Sequence, residues 1–295
     1  MNEAINRMIQ KRNPENSEDY ENALKEIIQE IALLGLSRSD FFAHAAFYGG
    51  TALRIFYGLP RYSEDLDFSL DSPDASFDLE KYLKYIEQEL SAYHLEMTVR
   101  KKVKTKESAV QSAFIKGNTV TSIMEISDNP SSVSGIHTDA LIRIKVEIDT
   151  DPPVGAGYQI LYGLNPAPYS ARLYDEPSLF AGKIHAVLCR DYKNRVKGRD
   201  FFDYVWYLQR GSKVNLLHLQ NRMVQSGKWN PEEILTLDAL KRLLAERFAE
   251  VDYESAKEDV SRFLRPEDRQ SLSLWNSQFF DDLTERYLFS SESDH

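Results

Sequence analysis

The stretch Phe47-Tyr-Gly-Gly-Thr-Ala-Leu-Arg-Ile-Phe-Tyr-Gly-Leu-Pro-Arg-Tyr-Ser-Glu-Asp-Leu-Asp-Phe68 decides how this chain is read. An apolar run enters Gly49-Gly50-Thr51, and a short helix-like segment, Ala52–Tyr57, follows. Gly58-Leu-Pro60 breaks it and delivers the chain to a strand at Asp65-Leu66-Asp67-Phe68. Residues i and i+2 of a strand point the same way, so Asp65 and Asp67 project from one face with their carboxylates a few ångströms apart. Such a pair is mutually repulsive unless a cation lies between. A hard divalent ion such as Mg²⁺ or Mn²⁺, which takes oxygen ligands and substrate phosphates, suits the place. Upstream, the glycine pair opens a helix whose unpaired N–H groups can hold a phosphate. A phosphate cradle beside metal-binding carboxylates points to nucleotide chemistry.

Working outward, the clearest later strand is Leu141-Ile-Arg-Ile-Lys-Val-Glu-Ile-Asp149. Ile142, Ile144, Val146 and Ile148 make an apolar face, and Arg143, Lys145, Glu147 and Asp149 a polar one. If this strand lies beside Asp65–Asp67, Glu147 or Asp149 completes a carboxylate triad. Such a triad can clamp the attacking and leaving oxygens of an in-line phosphoryl displacement through bound metal. Glu147 is preferred, because Asp149 is nearer the strand end and the Pro152-Pro153 turn; the competing reading is a merely solvated polar face.

The remaining pattern outlines an α+β protein. Residues 19–36 form an amphipathic helix through Leu24, Ile27, Ile28, Ile31 and Leu34, and Ser37 with Asp40 resembles a capping box for the next helix. Asp78–Tyr93 reads as a second amphipathic helix. Leu95–Ile126 reads as strand, including a Val120/Ser122/Met124/Ile126 alternation. Asp151-Pro-Pro-Val-Gly-Ala-Gly157 is the strongest boundary signal, giving a domain over 1–155 and a mainly helical one over 156–295 that completes the site. Helices are expected at Glu176–Arg190, Gly198–Gln209, from Asn230-Pro231-Glu-Glu233 onward, at Tyr253–Leu264 and at Ser271–Leu288, with fraying after Ser290.

In the second half, Lys183 stands among Leu179, Phe180, Ile184, Val187 and Leu188, from where it can reach a triphosphate. Lys197-Gly-Arg-Asp-Phe-Phe-Asp203 sets Asp200 and Asp203 one helical turn apart; an ordinary Arg199–Asp200 helix-start ion pair is the competing reading. None of the six histidines has metal-ligand spacing.

Of 295 residues, 42% are hydrophobic and 12% aromatic, as in an ordinary globular protein. One cysteine, Cys189, excludes an internal disulfide, reads as buried filler and suggests a reducing compartment. No apolar run approaches ~20 residues and no signal-peptide pattern opens the chain, so the expected location is cytoplasmic, with no membrane partner. The net charge of −10 is uneven: residues 230–295 hold 16 acidic against 8 basic residues, and residues 1–229 hold 30 against 28. Two basic clusters, Arg100–Lys106 and Arg190/Lys193/Arg195/Lys197/Arg199, suit a polyanion. For the first, an edge strand carrying lysines against aggregation explains the charge equally well.

Gly49-Gly50-Thr51 with Asp65-Leu66-Asp67 resembles the glycine and Asp-x-Asp motifs of polymerase-beta-type nucleotidyltransferases. Together with Arg61-Tyr-Ser63, Ala181-Gly-Lys183-Ile-His-Ala186 and Arg199-Asp200-Phe-Phe-Asp203, the chain is similar over about residues 45–210 to the AbiEii/AbiGii toxin family. That resemblance implies a nucleotidyltransferase fold followed by a helical half. It implies Asp65 and Asp67 as metal ligands and Glu147 in the third acid's position. Lys183 matches the family's essential lysine and Asp200 the acid of its Arg-Asp-x-x-Asp motif. Thr51 stands where the wider superfamily often has serine, and Glu147 where aspartate is more usual. Members of the family are toxins encoded beside an antitoxin; some extend tRNA 3′ ends, others mainly bind a nucleoside triphosphate. The expectation is a metal-dependent nucleotidyltransferase with catalytic Asp65, Asp67, Glu147, Lys183 and Asp200. Gly49, Gly50, Thr51, Arg61, Ser63 and Lys183 are expected at the nucleotide, with RNA, most plausibly a tRNA 3′ end, as acceptor and an antitoxin as partner. The alternatives are a protein or small-molecule acceptor such as an antibiotic, and a non-catalytic NTP-binding interaction module.

Overall fold

The structure, a computed structural model, describes residues 3–102, 108–126, 130–192 and 195–288. In chain order these form α1 (Glu3–Arg12), α2 (Ser17–Ser37), α3 (Phe41–His44), β1 (Ala45–Tyr48) and α4 (Gly49–Ala52), which runs on as a π-helical turn over Leu53–Tyr57. Next come β2 (Leu66–Leu70), α5 (Glu80–Ala92), β3 (Thr98–Lys101), β4 (Val110–Asn118), α6 (Thr119–Ile126), β5 (Leu141–Asp149), β6 (Tyr158–Gly163) and β7 (Tyr169–Tyr174). Helices α7 (Glu176–Cys189), α8 (Gly198–Gln209), α9 (Leu216–Gln225), α10 (Leu237–Glu250), α11 (Tyr253–Ser261) and α12 (Ser277–Tyr287) complete the described chain.

The chain divides into two compact units. The first comprises residues 1–58, 63–152 and 159–173; the second comprises 59–62, 153–158 and 174–295. A seven-stranded mixed sheet, ordered β3-β4-β5-β2-β1-β7-β6, organises the first. Its centre is built by apolar alternation: Ile142, Ile144, Val146 and Ile148 of β5 are buried, as are Leu66, Phe68 and Leu70 of β2. Helix α2 packs against this core, with Leu24, Ile27, Ile28, Ile31 and Leu34 all buried. Asn16 caps it by accepting from the Asp19 N–H.

Three local readings change. The 120–126 alternation is helical. Thr119, Ser122 and Ile123 are the buried positions, a 3–4 spacing, while Met124 is exposed; Asn118 Oδ1 accepts from the Thr121 N–H and starts the helix. Residues beyond Asp151–Gly157 are not all helical, since β6 and β7 join the sheet, with Tyr169, Ala171 and Leu173 buried on alternate positions. Asn230-Pro231-Glu-Glu233 forms an Asx turn, with Asn230 Oδ1 accepting from the Glu232 N–H. Helix α10 starts later, capped by Thr236 on the Ala239 N–H.

The second unit is held by aromatic packing. Phe180 stacks on Tyr207 at 4.4 Å between ring centres, and Phe280 contacts Phe201, Phe248, Tyr253 and Trp275. Helix α7 is capped by Asp175 accepting from the Ser178 N–H, with Pro177 in its first turn.

Candidate active site

In the first unit, the turn from β1 into α4 requires Gly49. Its φ is +83°, and a Cβ there would stand 2.8 Å from Asp67 Oδ2. Tyr48, the preceding residue, gives the helix no side-chain cap. The antiparallel register puts Tyr48 opposite Asp67, so the glycine turn abuts the Asp-x-Asp strand. On the other side of β2, the parallel register pairs Asp67 with Glu147 and Ser69 with Asp149. Of the two acids on the polar face of β5, Glu147 is thus level with Asp67. Asp149 is two residues farther on, and its Oδ1 accepts from the Asp151 N–H. Asp65 stands one residue before β2.

Burial, then the Glu64 charge, pushes the Asp65 carboxyl above the usual carboxylate range, with Lys145 opposing and Glu147 adding to the rise. Glu147 is bound on both oxygens: Ser112 donates to Oε1 at 2.9 Å and Lys145 Nζ lies 2.6 Å from Oε2. Among the described residues no three His, Cys, Asp or Glu converge closely enough to surround a metal as they stand. The donor set nevertheless fits a hard divalent ion. It offers oxygen ligands only, on adjacent strands in register, with one carboxyl whose charged form suffers from neighbouring negative charge.

Thr51 is buried, and its hydroxyl is shared between Ser63 Oγ at 2.9 Å and the Asp65 carbonyl. Gln29 donates to the Ser63 carbonyl at 3.0 Å. Thr51 and Ser63, expected at the nucleotide, thus fasten the glycine turn to the approach of the Asp-x-Asp strand.

The remaining expected residues lie in the second unit and form one buried ion network. Arg61 engages Asp203 in a two-pronged pair, Nε to Oδ1 and Nη2 to Oδ2, both at 2.6 Å. Lys183 Nζ reaches Asp200 Oδ1 at 2.9 Å and Asp203 Oδ2 at 2.8 Å, and Arg190 pairs with Asp200 Oδ2. Burial pushes the Asp203 carboxyl up, but the Arg61 and Lys183 charges and their hydrogen bonds outweigh it and hold it below the ordinary range. Three cations against two carboxylates leave this network one positive charge in excess. Arg61 was expected at the triphosphate; its guanidinium is committed here.

Of the basic clusters, Arg100 and Lys101 sit on β3, an edge strand, with Lys101 paired to Asp78 at 2.5 Å; Val103, Lys104, Thr105 and Lys106 lie outside the described residues. In the second cluster, Arg195 pairs with buried Asp259, and Arg199 lies over the Phe263 ring at 4.1 Å. Lys193 lies outside the described residues, as does the tail beyond Leu288. Cys189 is half-buried, and burial pushes its thiol pKa up, as for an inert side chain. Lys145 and Ser112 were not anticipated as site residues. Lys145 was visible on the polar face of its strand, whereas Ser112 is brought in only by the β4–β5 register.

The glycine turn, the Asp-x-Asp strand and the glutamate level with Asp67 lie on adjoining strands of one mixed sheet. The chain belongs to the family described as nucleotidyl transferase AbiEii toxin of type IV toxin–antitoxin systems, matching it over residues 31–282. That family implies an antitoxin partner. No curated protein matches the chain. The Helicobacter pylori protein JHP933 is similar in fold, with a TM-score of 0.51 and 18% identity over 89% of this chain and 90% of that one. A second Helicobacter pylori structure has a TM-score of 0.50 and 15% identity over 91% of this chain and 95% of that one. Among the described residues no helix is long and apolar enough to cross a membrane.

Proposed function

We propose that this protein is a divalent-metal-dependent nucleotidyltransferase that moves a nucleotide from a nucleoside triphosphate to an RNA 3′ hydroxyl, most plausibly that of tRNA. The observation carrying this is the register that aligns Glu147 with Asp67 beside the Gly49 turn. Asp65 and Asp67, with Glu147, are the residues that would hold Mg²⁺ or Mn²⁺, whose chemistry is to draw charge from the α-phosphate and acidify the acceptor hydroxyl. The uncapped N–H groups at Gly49 and Gly50 bind phosphate oxygens. Lys183 compensates triphosphate charge, positioned by Asp200 and Asp203. Glu147 orients the acceptor's 3′ hydroxyl and takes its proton as the 3′ oxygen bonds to the α-phosphorus. The bond from that phosphorus to the α–β bridging oxygen breaks, and pyrophosphate leaves. Thr51 and Ser63 hold the glycine turn to the approach of the Asp-x-Asp strand, and Arg61 holds Asp203.

The RNA acceptor is supported by the basic residues on and before α8. Arg190, Arg195, Lys197 and Arg199 place four basic side chains within ten residues of chain, a grouping suited to phosphates. Incubation with labelled NTP, Mg²⁺ and total RNA tests the reading: label enters RNA with the wild type and not with Asp65→Ala or Asp67→Ala. Transfer unaffected by both substitutions contradicts it.

A second reading, a cationic small-molecule acceptor, is favoured by a cavity of about 560 Å³ in the second unit. Trp206, Trp275 and Phe279 line it together with Glu267 and Asp268. Label appearing in an added organic cation rather than in RNA would select it.

A further inference from the structure

We infer that Lys145 is a built-in counter-ion of the carboxylate site, holding Glu147 closed in the metal-free protein and surrendering it when a divalent cation binds. The inference rests on the reading of Asp65, Asp67 and Glu147 as metal ligands. Four observations carry it.

The alternation of β5 puts Lys145 and Glu147 on the same face, two residues apart, and the ammonium lies 2.6 Å from Glu147 Oε2. Ser112 holds the other oxygen at 2.9 Å, so both Glu147 oxygens have a partner in the metal-free protein. The parallel register runs Leu66 beside Val146, which brings Asp65 alongside Lys145; the Lys145 N–H donates to the Asp65 carboxylate and its charge stabilises that carboxylate as well. Lys145 therefore serves two of the three acids at once. Finally, its side chain is one-third exposed, with a flexible stem free to swing its head outward.

An ammonium carries one charge and a divalent ion two, at the same carboxylates. The two cations compete, because both would draw on the Glu147 carboxylate, and because like charges a few ångströms apart repel. Lys145 thereby stabilises the empty site and sets a threshold for metal entry. A freed ammonium then stands next to the reacting phosphates.

Free Mn²⁺, followed by electron paramagnetic resonance during titration, tests this without reference to turnover. Lys145→Met keeps the apolar stem and removes the charge; it is expected to bind Mn²⁺ about tenfold more tightly, the size of an ordinary coupling between contacting groups. Lys145→Arg, which keeps the charge, is expected to stay within twofold of wild type. In a Glu147→Gln background the gain from Lys145→Met should shrink to the smaller part that acts through Asp65. Weaker or unchanged Mn²⁺ binding in Lys145→Met overturns the inference, because Lys145 would then orient Glu147 for the metal or be irrelevant to it. A tenfold gain that persists with Glu147→Gln also overturns it, as a general charge effect. If the wild type shows no Mn²⁺ binding that Asp67→Asn removes, the metal-site reading itself fails and the inference with it. Failure in Lys145→Met alone leaves the metal-site reading standing.

Discussion

At Gly49 two demands coincide, a positive φ of +83° and an Asp67 oxygen 2.8 Å from where a Cβ would stand. Gly49→Ala is therefore expected to destabilise the first unit by roughly 1–3 kcal/mol and to displace Asp67. Urea unfolding and Mn²⁺ titration check the two effects; unchanged values in both would show that the turn tolerates a side chain. Arg61 makes a different demand. Removing it leaves Asp203 buried with Lys183 as its remaining charge partner, so Arg61→Ala is expected to lower stability by roughly 3–5 kcal/mol. Lysine cannot reproduce the two-pronged geometry, so Arg61→Lys should recover only part of this. A denaturation midpoint within error of wild type for Arg61→Ala would contradict the account of the network. That pairing joins residues 142 positions apart, which is why a local reading of Arg61-Tyr-Ser63 could assign the arginine only to substrate.

At the scale of elements, what was legible in the sequence was what local physics decides. Period-two alternation in Leu141–Asp149, apolar 3–4 spacing in α2 and the glycine and proline breaks around residues 49–60 all carry their own signal. Segments failed where two local patterns compete. Residues 119–126 satisfy both periods, and the Asn118 cap with sheet packing selects the helix. In β7 the alternation was present but lay past a strong boundary signal. Asn230-Pro231 mimics a helix start but closes only an Asx turn. The cap assignment makes a prediction: Thr236→Ala should lower stability by about 1 kcal/mol, with Asn230→Ala within about 0.5 kcal/mol of wild type. Thermal melts of the two variants in the reverse order would place the start of α10 at Asn230.

At the scale of the molecule, the candidate site was legible only as residue types and spacing, since Asp65, Asp67, Glu147 and Lys183 each sit in a recognisable local pattern. The ion network that holds Lys183 was not, because it depends on tertiary packing. The same packing buries His218 and half-buries His185. Burial, then the Arg222 charge, depresses both His185 and His218 to about 4, against an ordinary 6.5. The sign follows: the unfolded chain takes up protons below about 6.5 and the folded one only near 4, so this contribution is present above 6.5 and is lost as pH falls towards 4. Melting temperature should decline over that window, and His218→Gln should flatten the decline; an equally steep decline in the variant would remove His218 from the explanation. The central claim, that the Asp65/Asp67 site transfers nucleotides to RNA, is tested most directly by sequencing RNA 3′ ends after expression of the wild type and of Asp67→Ala. The account predicts nucleotides added to tRNA 3′ ends by the wild type and none by the variant. Unaltered ends with both, or identical extension by both, would contradict it.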